Sequence, residues 1–65
     1  MANGTTYILD GLDWVVYFLR YQDPWGKERW VKIIREKETG DAWSYEIRAD
    51  DVPMDLLEKA RVMNH

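Results

Sequence analysis

The sequence contains no cysteine, and its only histidine, His65, is the last residue. Disulfides are therefore excluded, and so is a zinc site of the usual cysteine and histidine type. Side chains for nucleophilic or acid–base catalysis are also scarce, because the single serine, Ser44, has no cysteine or internal histidine to act with it. We expect a protein that is not an enzyme and that binds no cofactor and no metal.

Long apolar runs are missing as well. No stretch approaches the roughly 20 apolar residues that a membrane-spanning helix needs. Residues 1–11 lack the basic start and the apolar run of a secretory signal peptide. We therefore expect a cytoplasmic protein with no membrane partner.

Glycine and proline are few, and they divide the chain into short pieces. Turns are predicted at Asp10-Gly11, at residues 23–26, where proline and glycine suit a type I turn, and at residues 37–41. Between the turns, β-branched and aromatic residues predict strands at about 5–9, 12–21, 28–36 and 42–49. For residues 12–21 a helix capped by Asp10 is the alternative, although the run of Trp, Val, Tyr and Phe favours a strand.

A helix is predicted over residues 53–63. Pro53 suits the first helical position, and Asp55 lies near the positive end of the helix dipole. The apolar residues of this segment recur at helical spacing and form a single stripe: Leu56, Leu57, Ala60 and Met63. We therefore expect one α+β domain over residues 1–65, a three- to four-stranded antiparallel β-meander with the C-terminal helix packed on one face.

The predicted turns also set strand registers and sheet faces. The first hairpin is expected to place Leu19 opposite Trp30, and the second to place Ile33 opposite Ile47. The face under the helix would then hold Trp14, Val16, Phe18, Val31, Ile33, Trp43, Tyr45, Ile47 and Ala49. The apolar part of the other face would hold Val15, Tyr17, Leu19, Tyr21, Trp30 and Ile34.

Nine of the 65 residues are aromatic, and both predicted faces are apolar. One helical stripe cannot cover both faces, so we expect the second face to contact another protein. The predicted partner-binding residues are Tyr17, Leu19, Tyr21, Trp25, Arg29, Trp30 and Lys32. The expected function is a small protein-binding module, a modulator or inhibitor that occupies a partner's surface. Two alternatives stay open: residues 5–9 fold over this face, or two copies pair as a homodimer.

A nucleic-acid-binding module is the second functional hypothesis. Residues 20–37 carry six cationic and three acidic side chains, and the hairpin combines rings with cations at Trp25, Trp30, Lys27, Arg29 and Lys32. The net charge of the whole chain is −3, which would repel a phosphate backbone. Nucleic acid is therefore the less favoured partner.

Overall fold

Short chain segments whose side chains point alternately to opposite sides are separated by turns and form an antiparallel sheet. The computed structural model describes residues 4–64. Its strands are β1 (Gly4–Asp10), β2 (Trp14–Gln22), β3 (Glu28–Glu36), β4 (Ala42–Ile47) and β5 (Arg61–Asn64), in the order β4-β3-β2-β1-β5. Between β4 and β5 the chain forms a 3-10 turn at Ala49–Asp51 and one short helix, α1 (Met54–Leu57).

The expected C-terminal helix is the main error of the sequence analysis. We predicted an α+β fold with a helix over residues 53–63, and this is wrong: α1 has four residues, and the chain end forms β5. β5 pairs with β1 and places Val62 opposite Tyr7. Isolated helices shorter than about 12 residues are marginal, whereas this pairing satisfies the outer backbone groups of β1. The sheet therefore has five strands where we expected three or four.

The N-terminal half of the described chain forms two paired strands. Residues 14–22 are a strand and not a helix. Residues 4–10 do not fold over the neighbouring strand but pair with its edge, with Tyr7 opposite Phe18. The N-terminal segment therefore widens the sheet and covers neither face of β2.

The first predicted register is wrong by one residue. Leu19 lies opposite Val31, and Trp30 lies opposite Arg20. The reason is the turn, in which Gly26 adopts a φ of 80° that only glycine reaches without strain. The backbone N–H of Asp23 donates to the carbonyl of Lys27, so the turn contains one more residue than we assumed. Because a one-residue slip turns every side chain over, β3 presents its side chains on the opposite faces from those predicted.

The second predicted register is also wrong. Ile33 lies opposite Ser44, not opposite Ile47. The loop closes earlier than predicted, with Gly40 at a φ of 78° and the N–H of Glu36 donating to the carbonyl of Asp41. The first register differs from the predicted one by one residue and the second by three residues. Because both differences are odd, their effects on side-chain direction cancel between β2 and β4. The aromatic residues of β2 and β4 therefore share one face, as predicted. The side chains of β3, the strand between them, point to the faces opposite to those predicted.

The core lies on one side of the sheet, which we call the first face. Because β4 and β5 form opposite edges, the connection between them must cross the sheet. Its Val52 and Leu57 pack on Phe18 and Trp30, and these four side chains form the buried cluster. Four partly buried side chains surround it: Tyr7, Leu9, Val16 and Ile47. The crossing segment is short, so it covers only part of the first face.

The other side of the sheet, the second face, is apolar without a covering layer. Ile8 and Val15 are buried there among neighbouring side chains, and five further residues are half-buried: Tyr17, Leu19, Tyr21, Val31 and Ile33. No helix or strand within residues 4–64 crosses this face. No helix in that range is long and apolar enough to cross a membrane.

Candidate functional site

Three large aromatic side chains lie together on the uncovered part of the first face. Trp14 comes from β2, and Trp43 and Tyr45 come from the edge strand β4. Val16 and Ile34, which lie opposite each other on β2 and β3, form the floor between them. We call these five residues the aromatic patch.

The rings of the aromatic patch are held by one another and are open to solvent. The ring centroids of Trp14 and Trp43 are 6.0 Å apart, with planes inclined by 42°. Trp14, Trp43 and Tyr45 are 42%, 45% and 51% exposed, which is high for residues that normally bury most of their area. Together they line an open depression of about 520 Å³. This geometry suits insertion of an apolar group between preordered rings.

The apolar surface continues from the aromatic patch toward α1. A second depression of about 510 Å³ shares Val16 with the patch and reaches Leu9, Pro53 and Leu56, and two charged side chains, Lys32 and Asp51, also line it. Leu56 is exposed, as is the neighbouring Met54. The crossing connection therefore adds apolar side chains to the edge of the patch instead of closing it.

Acidic side chains lie beside one end of the aromatic patch. A depression next to it is lined by Trp14, Leu12, Asp13, Glu36, Lys37 and Glu38. The lysine in this group forms an ion pair, because Lys37 Nζ lies 2.6 Å from Asp10 Oδ1. That hydrogen bond and charge lower the pKa of Asp10 below its ordinary value. The surroundings of Trp14 are therefore more acidic than their composition suggests.

Three of the predicted partner-binding residues lie side by side on the second face. Tyr17, Leu19 and Tyr21 alternate along β2, and all are half-buried. The hydroxyl of Tyr17 accepts a hydrogen bond of 2.9 Å from Arg35, whose guanidinium lies 5.8 Å from the centre of the tyrosine ring. The predicted surface exists as an adjacent set, but its side chains are less exposed than those of the aromatic patch.

Trp25 lies in the β2–β3 turn, and Arg29 lies beside it near the start of β3. Trp25 is 86% exposed at the tip of the turn. Arg29 bridges two carboxylates: its Nε is 3.1 Å from Asp23 Oδ2 and its Nη1 is 3.0 Å from Glu46 Oε1. These bonds raise the pKa of Arg29, Asp23 contributing first. Arg29 is therefore engaged within the protein and is not a free cation.

Asp23 organises this turn. Its Oδ1 accepts hydrogen bonds from the backbone N–H groups of Lys27 at 2.8 Å and Trp25 at 3.0 Å. The bond from Lys27 is the main reason that the pKa of Asp23 lies below its ordinary value, and Arg29 adds to the effect. The turn that sets the register of β3 is thus stabilised by one carboxylate.

Trp30 and Lys32 lie on the first face, contrary to the predicted arrangement. Trp30 is 2% exposed and stacks on Tyr7 at 5.9 Å, so it is a core residue and cannot contact a partner. Its indole Nε1 is buried without a hydrogen-bond partner among the described residues. Lys32 extends over the ring of Phe18, with Nζ 5.8 Å from the ring centre. The slip in register, which reversed β3, is the cause of both changes.

The residues of the nucleic-acid hypothesis are dispersed. Trp25 and Lys27 lie at the turn, Arg29 is held by two carboxylates, and the ring of Trp30 is buried. They do not form one surface of rings and cations. Within residues 4–64, no three acidic or histidine side chains are arranged to hold a metal ion.

Comparison of the chain with protein-family models, with curated proteins and with solved structures gave no match. The candidate site therefore has to be judged from its own geometry.

Trp14, Trp43 and Tyr45 were not predicted to be surface residues, because a long helix was expected to cover them. One signal pointed to them. Nine aromatic residues exceed what a chain of 65 residues can bury, and the excess was predicted to lie on the second face. Only the path of the connection after β4 decides which rings stay exposed.

Proposed function

We propose that this protein is a non-enzymatic binding module that occupies the surface of another protein through the aromatic patch. One observation carries the proposal: Trp14, Trp43 and Tyr45 stand about half-exposed around an apolar floor of Val16 and Ile34. Solvent-exposed aromatic clusters of this kind are costly unless a partner covers them. Tryptophan and tyrosine are also the residues that most often dominate binding energy in protein interfaces.

The chemistry around the patch favours a partner with an apolar protrusion flanked by basic groups. The side chains of the floor carry no hydrogen-bonding group, and those of the rings are limited to two indole N–H groups and one hydroxyl, so the inserted group is mainly apolar. Asp13, Glu36 and Glu38 beside Trp14 favour positive charge at that edge. A phosphate backbone would meet the same three carboxylates, which argues against nucleic acid at this surface.

The proposed function is of the class expected from the sequence, a protein-binding module. The proposed binding surface is the aromatic patch on the first face, whereas the sequence predicted a surface on the second face. Tyr17, Leu19 and Tyr21 on the second face are a neighbouring surface and not the centre of the proposed site. Modulation or inhibition of the partner would follow from occupying its surface. The cytoplasm remains the proposed location, and fractionation of cells that express the tagged chain tests it.

A comparison of matched variants tests the proposal. Threonine keeps strand propensity, so Trp14→Thr combined with Tyr45→Thr removes the rings with little change to the backbone. Trp25→Ala removes a tryptophan that is more exposed than Trp14 and lies outside the patch. Each tagged protein is used to capture partners from extracts of the source cell, after circular dichroism has verified that it is folded. We expect one set of proteins that wild type and Trp25→Ala retain and the double variant loses.

Binding by the purified partner then tests its chemistry. Because acidic groups line the patch edge, we expect the affinity to fall moderately as salt is added. Equal capture by the wild type and the folded double variant would overturn the proposal. So would capture that disappears after nuclease treatment, because the bound molecule would then be nucleic acid.

A further inference from the structure

The outer edge of β4 is the longest open sheet edge in the described part of the chain. β4 pairs with β3 on one side only. Five of its six residues are exposed. Open edges are usually protected by lysine, proline or a bulge, and the sequence of this strand, Ala42–Ile47, contains neither lysine nor proline. Its register with β3 is continuous and contains no bulge.

The turns identify which backbone groups of β4 point outward. Asp23 N–H donates to Lys27, and Lys37 N–H donates to Asp13. Since neighbours alternate along an antiparallel strand, the odd-numbered residues of β3 bond β2 and the even-numbered ones bond β4. The bond from Glu36 N–H to the Asp41 carbonyl agrees with this.

The same alternation applies along β4 itself. Trp43, Tyr45 and Ile47 use their backbone groups to bond β3. The N–H and C=O groups of Ala42, Ser44 and Glu46 therefore point away from the sheet, at regular spacing along an exposed strand.

We propose that two copies of this chain pair antiparallel along β4, about a two-fold axis at Ser44, to form one continuous ten-stranded sheet. In this register Ser44 lies opposite Ser44 of the second copy, and Ala42 lies opposite its Glu46. Every outward backbone group of the three residues then meets an outward group of the second copy. This pairing uses the sheet edge and so goes beyond the proposed function, which uses the sheet face.

Side chains select this register and this occupant. Trp43 falls opposite Tyr45 of the second copy, in the closer type of antiparallel pair, and aromatic cross-strand pairs of this kind are favourable. The two aromatic patches become neighbours on one face. Glu46, which already bonds Arg29, meets an alanine and not a second carboxylate. A foreign strand would satisfy the backbone but has no built-in match to these side chains.

A backbone substitution tests the edge. The N–H of Ser44 points to solvent in the monomer, so Ser44→Pro removes no hydrogen bond from β4–β3 pairing and blocks the outer edge. Sedimentation over a range of concentrations should show wild type passing from 7.8 kDa to twice that mass. For Ser44→Pro we expect the dissociation constant to rise by roughly a hundredfold or more, because the central pairs cannot form.

Two alternative charge substitutions at position 42 test the register. They also serve as the test of the edge if Ser44→Pro does not fold. In the dimer, Ala42→Glu places a glutamate opposite Glu46 of the second copy, so like charges face each other. Ala42→Lys places a lysine there, so opposite charges face each other. We expect the dimer to weaken by roughly fivefold in the first case and to tighten by a similar factor in the second. In the monomer, position 42 faces Arg35, so monomer stability should change in the opposite direction.

Three results would overturn the inference. One is a wild-type mass that stays at 7.8 kDa at every concentration. Another is a dimer that forms equally well with folded Ser44→Pro, which would place the contact elsewhere. The third is a dimer insensitive to the charge at position 42. Unchanged partner capture by the patch variants would overturn the proposed function and leave these three readouts standing, because they are measured on the wild type and on variants at positions 42 and 44, which lie outside the aromatic patch.

Discussion

Trp14 and Trp43 meet across an intervening strand: their ring centroids are 6.0 Å apart although β3 separates their backbones. Ile34, which lies opposite Trp43, lines the same depression as the two indoles. Each ring therefore covers part of the other while one side of both remains in solvent. This contact orders the aromatic patch before any partner binds, which lowers the entropy lost on binding.

The contact between the two indoles should be measurable as a coupling energy. We expect Trp14→Thr and Trp43→Thr to be less destabilising together than the sum of the single effects, by about 0.5–1.5 kcal/mol. Urea unfolding of the four proteins of the cycle gives this value. Strictly additive effects would show that the rings do not stabilise each other.

Trp30 should be the most sensitive aromatic residue to truncation. It is 2% exposed within the buried cluster, so Trp30→Ala should cost about 3–5 kcal/mol. A domain of this length has a total stability of roughly 3–10 kcal/mol, and the variant should be largely unfolded at 37 °C. Trp30→Phe should cost much less, because the indole N–H that it removes has no partner among the described residues.

The control for Trp30 is the exposed tryptophan of the turn. Trp25→Ala should change the free energy of unfolding by no more than about 0.5 kcal/mol. Urea titrations followed by circular dichroism compare all three variants. Equal losses from Trp25 and Trp30 would contradict the assignment of core and surface.

Asp23 should make stability depend on pH in the acidic range. Its pKa is lowered in the folded protein, first by the backbone N–H of Lys27. Its stabilising effect is therefore complete above the ordinary carboxyl pKa of about 3.9 and is lost as the pH falls through the lower folded-state value. We expect Asp23→Ala to be less stable than wild type at pH 7, and the difference to shrink below about pH 4. A difference that stays constant from pH 7 to pH 2 would contradict this.

Asp10 provides the comparison in salt. Its pKa is lowered mainly by the side chain of Lys37, in an exposed ion pair, and such pairs are screened. The loss of stability in Asp10→Ala should therefore diminish in about 1 M sodium chloride, while most of the loss in Asp23→Ala should remain. Thermal unfolding at low and high salt measures both.

Substitution of Gly26 should destabilise the protein through backbone strain alone. It has a φ of 80° with open space around the position of a Cβ, so Gly26→Ala should cost about 1–2 kcal/mol from conformational strain. Gly26→Asn should cost less, because asparagine tolerates this conformation better. Unfolding in urea distinguishes the two variants. An alanine variant as stable as wild type would show that the turn has another geometry.

Hydrogen exchange should distinguish strand β5 from the helix first expected there. By the alternation along β1, the backbone groups of Met63 bond Thr6, whereas those of Val62 point outward. We expect the amide of Met63 to exchange more slowly than that of Val62. A helix would protect both amides, so equal protection would contradict the strand.

The strand locations of the N-terminal two thirds of the chain could be anticipated from local signals. Turn residues such as Asp10-Gly11 and Asp23-Pro24 mark the ends of the strands, and β-branched and aromatic residues fill them. Registers could not be anticipated, because they depend on whether one glycine, such as Gly26, adds a residue to a turn. The last strand could not either, because its residues pair with β1, more than fifty positions away.

The candidate site shows the same division. The excess of aromatic residues was visible in the sequence and predicted an exposed ring cluster. Its position was not, because the reversal of β3 buried Trp30 and the absence of the expected helix left Trp43 exposed. The proposed protein-binding surface therefore centres on Trp14 and not on Trp30.

The sequence by itself determined that this chain forms short strands and carries more apolar ring surface than it can bury. Those properties follow from local propensity and composition, which need no partner residues. Tertiary structure alone decided the register of β3, the conversion of the chain end into β5 and the path of the connection across Phe18. Each of these depends on long-range pairing that outweighs a weak helical preference, and together they leave Trp14, Trp43 and Tyr45 in solvent.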